Sequence, residues 1–275
     1  MDSRRMCPHC RAFITTKDRI CPYCNEKVGP RAVERGDGGT LLGGLIPQAR
    51  FLTVIILVIN FGLYIATTIY SMRAGNGEIA SNIDLRTLFL FGAKAPPRLA
   101  AGQWWRLVTA GFLHGGLLHI LMNSWSFINL GSLVEEVFGA NRMLVIYFCS
   151  TVSGFYLSYL FSPALSVGAS AAIFGLIGAM IAISITDPVR FGHMRRTFVG
   201  WAMFGVVYLF LPMNIDNYAH FGGLLGGFAV AYLAGTPRLV ESWTGRLWQF
   251  CAWACIAITA ASFLNMYLWF SRVTH

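Results

Sequence analysis

Apolar positions along the chain are grouped in long, nearly unbroken runs from residue 51 onward, and charged residues fall mostly between the runs. Seven such stretches lie at about 51–72, 113–134, 143–161, 167–186, 196–212, 218–234 and 248–270. Each is close to the roughly 20 residues a helix needs to cross ~30 Å of hydrocarbon. None shows the alternating period of a membrane barrel strand, and backbone polar groups in lipid must be satisfied within their own segment, so helices are predicted. The pattern therefore predicts an all-α polytopic membrane protein. The first fifty residues break it: they are polar, carry four of the seven cysteines and lack the apolar run of a signal peptide.

Composition agrees with that division. Hydrophobic residues make up 56% of the chain and charged residues only 12%, with a mean hydropathy of +0.58, which excludes an ordinary water-soluble surface. Lysine and arginine crowd the leading segment and recur as Arg190, Arg195 and Arg196 after the fourth stretch, while the loops after the third and fifth stretches have none. The positive-inside rule then places the N-terminus in the cytosol and, with seven spans, the C-terminus outside. Arg73, Arg86, Lys94, Arg98 and Arg106 in the long first loop pull the other way. The net charge of +9 reads as this orientation signal plus attraction to anionic lipid, and no nucleic-acid partner is expected.

Near the N-terminus, CPHC and CPYC place Cys7, Cys10, Cys21 and Cys24 in two tight knuckles. Four thiolates at that spacing can close a tetrahedron on zinc. The competing reading, two disulfides, is disfavoured in a reducing cytosol. His9 stands inside a knuckle as a spare ligand. The expected organisation is a structural zinc ribbon over 1–30, a flexible linker over 31–50, a membrane core over 51–235, and a linker with a seventh span over 236–275. The position of the ribbon leaves open a cytosolic partner for it.

Polar residues inside spans are expensive and each needs a reason. His119 and Asn123 lie four apart, on one face of the second span. Ser170 is near the start of the fourth span and His220 near the start of the sixth. With the N-terminus inside, these three spans run inward from the outer face, so all four side chains fall at a similar shallow depth. Small residues at three- and four-residue spacing, Ala171, Gly175, Gly178 and Ala179 on one span and Ala219, Gly223 and Gly227 on the other, allow close backbone approach. A serine beside a neutral imidazole is the minimal activated nucleophile, a dyad, since no carboxylate is expected in the spans at that depth. The helix N-terminus at Ser170 and the side chains of His119 and Asn123 would favour the developing oxyanion. His114 reads as a helix-end hydrogen-bond partner, and Glu135 with Arg142 as a structural ion pair.

Taken together, QWWRL before the second span, HGGLLHILMN within it, GASAAIFG opening the fourth and AHFGG opening the sixth resemble the rhomboid family of intramembrane serine proteases. The resemblance covers about residues 51–235 and implies a six-helix bundle, here with a seventh C-terminal helix of the kind seen in six-plus-one members. It implies Ser170 as nucleophile, His220 as general base, and His119 with Asn123 as oxyanion side chains. Gly168 would be the glycine of the family's G-x-S motif, and Phe174 the ring that packs on the base. Ala171 stands where many members have glycine, and Phe174 where some have tyrosine. The implied partners are single-span transmembrane substrates in a lipid bilayer, the expected location is the bacterial inner membrane, and catalysis needs no cofactor. Two other readings stay open. One is a non-catalytic relative that binds transmembrane helices, although those usually lack the serine or the base. The other is a metal site built from His114, His119, Asn123 and His220, which would be poor in ligands for zinc.

Overall fold

The computed structural model describes residues 4–7, 10, 12–15, 18–26, 28, 50–75, 82–207, 215–235 and 243–274. The predicted linker over 31–50 lies outside the described residues except for Arg50, as do His9 and residues 236–242 of the second linker. By its internal contacts the chain falls into two units, Met1–Ala49 and Arg50–His275.

In the first unit, β1 (Arg4–Met6) pairs antiparallel with β2 (Phe13–Thr15), in the register Arg4 with Thr15 and Met6 with Phe13. The hairpin and a second turn present the two cysteine pairs to one small core of Cys7, Ile14, Cys21 and Val28. Asn25 adopts φ 54° in the second knuckle and donates its N–H to the Cys21 carbonyl at 2.9 Å. Asparagine is one of the few residues other than glycine that tolerate this turn conformation.

The second unit contains long helices at all seven predicted positions: α1 (Phe51–Arg73), α5 (Leu117–Phe138), α6 (Ala140–Phe161), α7 (Ser170–Thr186), α9 (Arg195–Val207), α10 (Asn217–Ala234) and α11 (Trp243–Thr274). The fifth expected span, 196–212, is described only to Val207. By length and composition α1, α5, α6 and α11 are long and apolar enough to cross a membrane. The helix α7 is shorter, at 17 residues, and meets the segment of α8 (Pro188–Phe191) and α9 at a bend of 116°. Proline cannot extend a hydrogen-bonded helix, so the turn falls at Asp187 and Pro188. The helix α10, of 18 residues, opens with the polar Asn217, Tyr218 and His220.

The centre of the bundle is α7, whose residues from Ala171 to Ser184 are largely buried, packed mainly against α6 and α10. Glycines set that approach. A Cβ at Gly223 would lie 2.0 Å from the Ala171 carbonyl oxygen, and one at Gly227 would lie 2.0 Å from that of Gly175. A Cβ at Gly222 would likewise come within 2.7 Å of the Ser153 carbonyl on α6. The small-residue faces read from the sequence are thus the faces that meet.

Between α1 and α5 the long first loop folds into α2 (Leu85–Leu90), α3 (Pro96–Ala100) and α4 (Arg106–Thr109). Its hub is Arg106, fully buried, which donates to the carbonyls of Phe89 and Ala93, each at 2.8 Å, and to Gln103 Oε1 at 2.7 Å. The rings of Phe89, Trp105 and Trp269 surround the guanidinium at 4.8, 4.6 and 4.7 Å. Trp104 remains half exposed, edge-on to Tyr159, whereas Trp105 belongs to this arginine box.

One expected pairing is corrected. Glu135 does not pair with Arg142; its carboxylate accepts the Leu52 and Thr53 amides, both at 2.9 Å, and the Thr53 hydroxyl at 2.7 Å. The first amides of a helix have no partner inside it, and a carboxylate there also suits the helix dipole. Arg142 instead lies over the Trp248 ring of α11, 5.7 Å from its centroid.

Candidate functional site

Ser170 is the first residue of α7 and His220 the fourth of α10. The glycine contacts described above bring these helix ends together, and His220 Nε2 stands 2.8 Å from Ser170 Oγ. The imidazole lies parallel to the Phe174 ring, with centroids 4.3 Å apart and an interplanar angle of 11°. Phe174 sits one turn below Ser170, so one helix carries both the hydroxyl and the plate on which the histidine rests. His220 Nδ1 is buried with no hydrogen-bond partner, so the ring is oriented by stacking on Phe174 and by its Nε2 contact with Ser170.

His119 and Asn123 arrive from the first two turns of α5, which starts at Leu117, after an extended Gly116. Gly168 lies beside both. Its φ is +133°, and a Cβ there would meet His119 Nε2 at 2.8 Å and Asn123 Nδ2 at 3.6 Å. Only glycine combines that backbone conformation with that space. The Gly168 N–H is held by the Ala110 carbonyl at 2.9 Å. The Gly115 amide donates to His119 Nδ1 at 3.4 Å, which assigns the ring proton to Nε2, on the Gly168 side. Asn123 Nδ2 is buried and has no protein partner. Two N–H donors therefore point into the space beside the nucleophile's approach segment, at the end of α7 where unpaired helix amides also emerge. His114 packs edge-on against His119, centroids 5.2 Å apart.

The structure thus brings Ser170 to His220, stacks Phe174 on His220, and sets His119 and Asn123 around Gly168. The methyl of Ala171 is turned toward α6, where a Cβ at Gly154 would lie 2.8 Å from it. It packs between helices and does not face the serine hydroxyl.

One carboxylate stands just ahead of the span that carries His220, outside the expected spans. Asp216 caps α10, accepting the Ala219 amide at 3.1 Å, one turn before His220. It also accepts the Ser158 hydroxyl and faces the buried Lys94 ammonium at 3.9 Å. Burial pushes that ammonium below the ordinary lysine range and Asp216 opposes the shift. Residue patterns hid this group because Asp216 reads as an ordinary N-cap and Lys94 as one loop charge among several; the clue was a lysine in an otherwise apolar GAKAP stretch.

In the first unit the sulfurs of Cys7, Cys10, Cys21 and Cys24 all lie within 4.8 Å of one another, with Cys7 to Cys24 at 3.8 Å and Cys10 to Cys21 at 3.6 Å. Tetrahedral zinc with ~2.3 Å bonds to sulfur requires sulfurs roughly 3.8 Å apart, so the quartet fits one ion and is too open for disulfides. Among the described residues this is the only group of three or more histidine, cysteine or acidic side chains gathered for a metal.

Comparison with known proteins follows the same lines. Residues 101–237 match the Rhomboid domain model. Rhomboid protease GluP of Bacillus subtilis is 38% identical over 156 residues, 56% of this chain and 31% of its own length, so the chain spans about a third of that relative. Rhomboid-like protease 3 of Toxoplasma gondii is 36% identical over 64% of this chain and 70% of its own. Rhomboid-like protease 2 of the same organism is 32% identical over 79% and 78%. A helical membrane core whose matched segment carries the Ser170–His220 contact, and likeness to the two Toxoplasma gondii proteases over more than two thirds of their length, lead to one conclusion: the chain belongs to the rhomboid family of intramembrane serine proteases.

Proposed function

We propose that the chain cleaves transmembrane proteins with a Ser170–His220 dyad near the outer face of the membrane. His220 takes the Ser170 proton as the hydroxyl attacks a peptide carbonyl, then returns it to the leaving amine. His119 Nε2–H, Asn123 Nδ2–H and the free amides at the start of α7 donate to the oxyanion, with Gly168 leaving room for it. The observation that supports this reading most is the 2.8 Å approach of Ser170 Oγ to His220 Nε2 at helix ends sealed by close glycine contacts.

The substrates are single-span proteins that unwind locally, because a carbonyl within an intact helix is already hydrogen-bonded and shielded. The lysine and arginine distribution supports a cytosolic N-terminus and an external C-terminus, and the bacterial inner membrane is the location proposed with them. The cysteine quartet would hold a structural zinc ion that takes no part in the chemistry.

The test is cleavage of a panel of single-span substrates by purified protein, with Ser170→Ala as control. Wild type should cleave and Ser170→Ala, whose methyl suits the packed end of α7, should fold without cleaving. Equal cleavage by both sinks the serine mechanism; tight binding without cleavage by either favours a non-catalytic helix-binding protein.

A further inference from the structure

Lys94 is fully buried, and its place in the fold links both halves of the dyad. Its ammonium donates to the Ser162 carbonyl at 2.9 Å and the Ala164 carbonyl at 2.8 Å, in the connector between α6 and α7. Its own backbone bridges Ser166 of that connector, with N–H to carbonyl distances of 3.0 and 3.1 Å in the two directions. Four residues beyond Ser166 is Ser170. On its other side the ammonium faces Asp216 Oδ2 at 3.9 Å, while Asp216 Oδ1 caps α10 through the Ala219 amide at 3.1 Å. Four residues beyond Asp216 is His220. Ser158, near the end of α6, closes the group by donating to Asp216.

A buried ammonium is costly unless its donors and its charge are answered, and removing one partner leaves the other stranded. Here two carbonyls and one carboxylate answer it, and those groups belong to the two segments that deliver the nucleophile and the base. We propose that Lys94 and Asp216 are positioning residues that hold Ser170 and His220 in register. The proposal rests on the dyad reading above. Neither group touches the reacting atoms: Asp216 is engaged by Ser158, Ala219 and Lys94, and the imidazole Nδ1 is without a partner. Their effect is geometric. Attack requires reacting groups at near-contact distance, and a misplacement of about 1 Å costs on the order of a hundredfold in rate.

The experiment uses full-length protein in detergent as wild type, Lys94→Met, Asp216→Asn and the double variant. Asparagine is also a good N-cap, so Asp216→Asn keeps the acceptor for Ala219 and removes only the charge. Three quantities are read below the melting temperature of every variant: kcat and KM on a transmembrane substrate, and the rate of Ser170 labelling by a fluorophosphonate. Each single variant should lose about tenfold or more in kcat and in labelling rate with KM nearly unchanged, since orientation and not binding is lost. The double should be no slower than the slower single, because the two side chains act as one unit. Folded single variants that label and turn over like wild type would overturn the proposal, as would effects that multiply in the double. If Lys94→Met fails to fold, Asp216→Asn alone decides between these outcomes. Wild type that is not labelled at Ser170 would instead remove the dyad reading, and the proposal with it.

Discussion

At Asn123 a buried polar atom carries a cost that the proposed oxyanion role would answer. Its Nδ2 is enclosed and bonds to nothing in the protein, a state that is destabilising at rest and useful only when negative charge appears nearby. The adjacent Gly168, with its open α-carbon face toward His119 and Asn123, marks where that charge would form. Asn123→Ala is therefore expected to raise the barrier by roughly 2–4 kcal/mol, about a hundredfold or more in kcat, with KM little changed and stability equal or higher. Steady-state kinetics and a thermal melt on the same preparation check it; a normal kcat would remove Asn123 from the site. These residues were legible in the sequence because serine, histidine and asparagine stand out in apolar runs. Lys94 and Asp216 were not, because charges between spans are ordinary and only the folded connector shows that this lysine is buried.

Among elements, the decisive contact is between α7 and α10. Their backbones approach so closely that the Ala171 carbonyl occupies the space a side chain at 223 would need. Gly223→Ala should push the helices apart at the level of Ser170 and His220. Overpacking of this kind costs typically 1–3 kcal/mol in stability, but the larger loss should be in turnover, through the lengthened contact between Ser170 and His220. Fluorophosphonate labelling of folded Gly223→Ala at the wild-type rate would contradict this. Helix positions could be read from hydrophobic runs, since lipid leaves the backbone few alternatives. The partner of Glu135 could not, because a carboxylate near an arginine in sequence gives no sign that a helix N-terminus will reach it first. The first loop is a second case: Arg106 has three hydrogen bonds and three rings around it. Arg106→Ala abandons two loop carbonyls and releases Trp269 of α11, so it should cost on the order of 3 kcal/mol. It should lower the melting temperature more than it changes kcat at temperatures where the variant is folded. A normal melt with cleavage abolished would place this arginine in the site instead.

For the molecule as a whole, the division into Met1–Ala49 and Arg50–His275 separates two kinds of stability. The larger unit buries an extensive apolar core around α7. Among its described residues the smaller has a three-residue hairpin pair and a core of four side chains, two of them Cys7 and Cys21. A chain that short cannot bury enough surface to stay folded unaided, and four sulfurs gathered within 4.8 Å would repel one another as thiolates without a cation between them. Binding free energy at such a site is folding free energy, and the ligands must lose protons to bind. Metal analysis of purified protein should therefore find close to one zinc per chain, and Cys21→Ser should reduce it to a small fraction. A strong chelator should unfold the first unit, seen as loss of its amide protection, while the helical signal of the larger unit and its cleavage activity persist. Retention of that amide protection after the metal is stripped would refute a metal-built ribbon, and loss of cleavage from a still-folded bundle would mean that the ribbon acts on the catalytic unit.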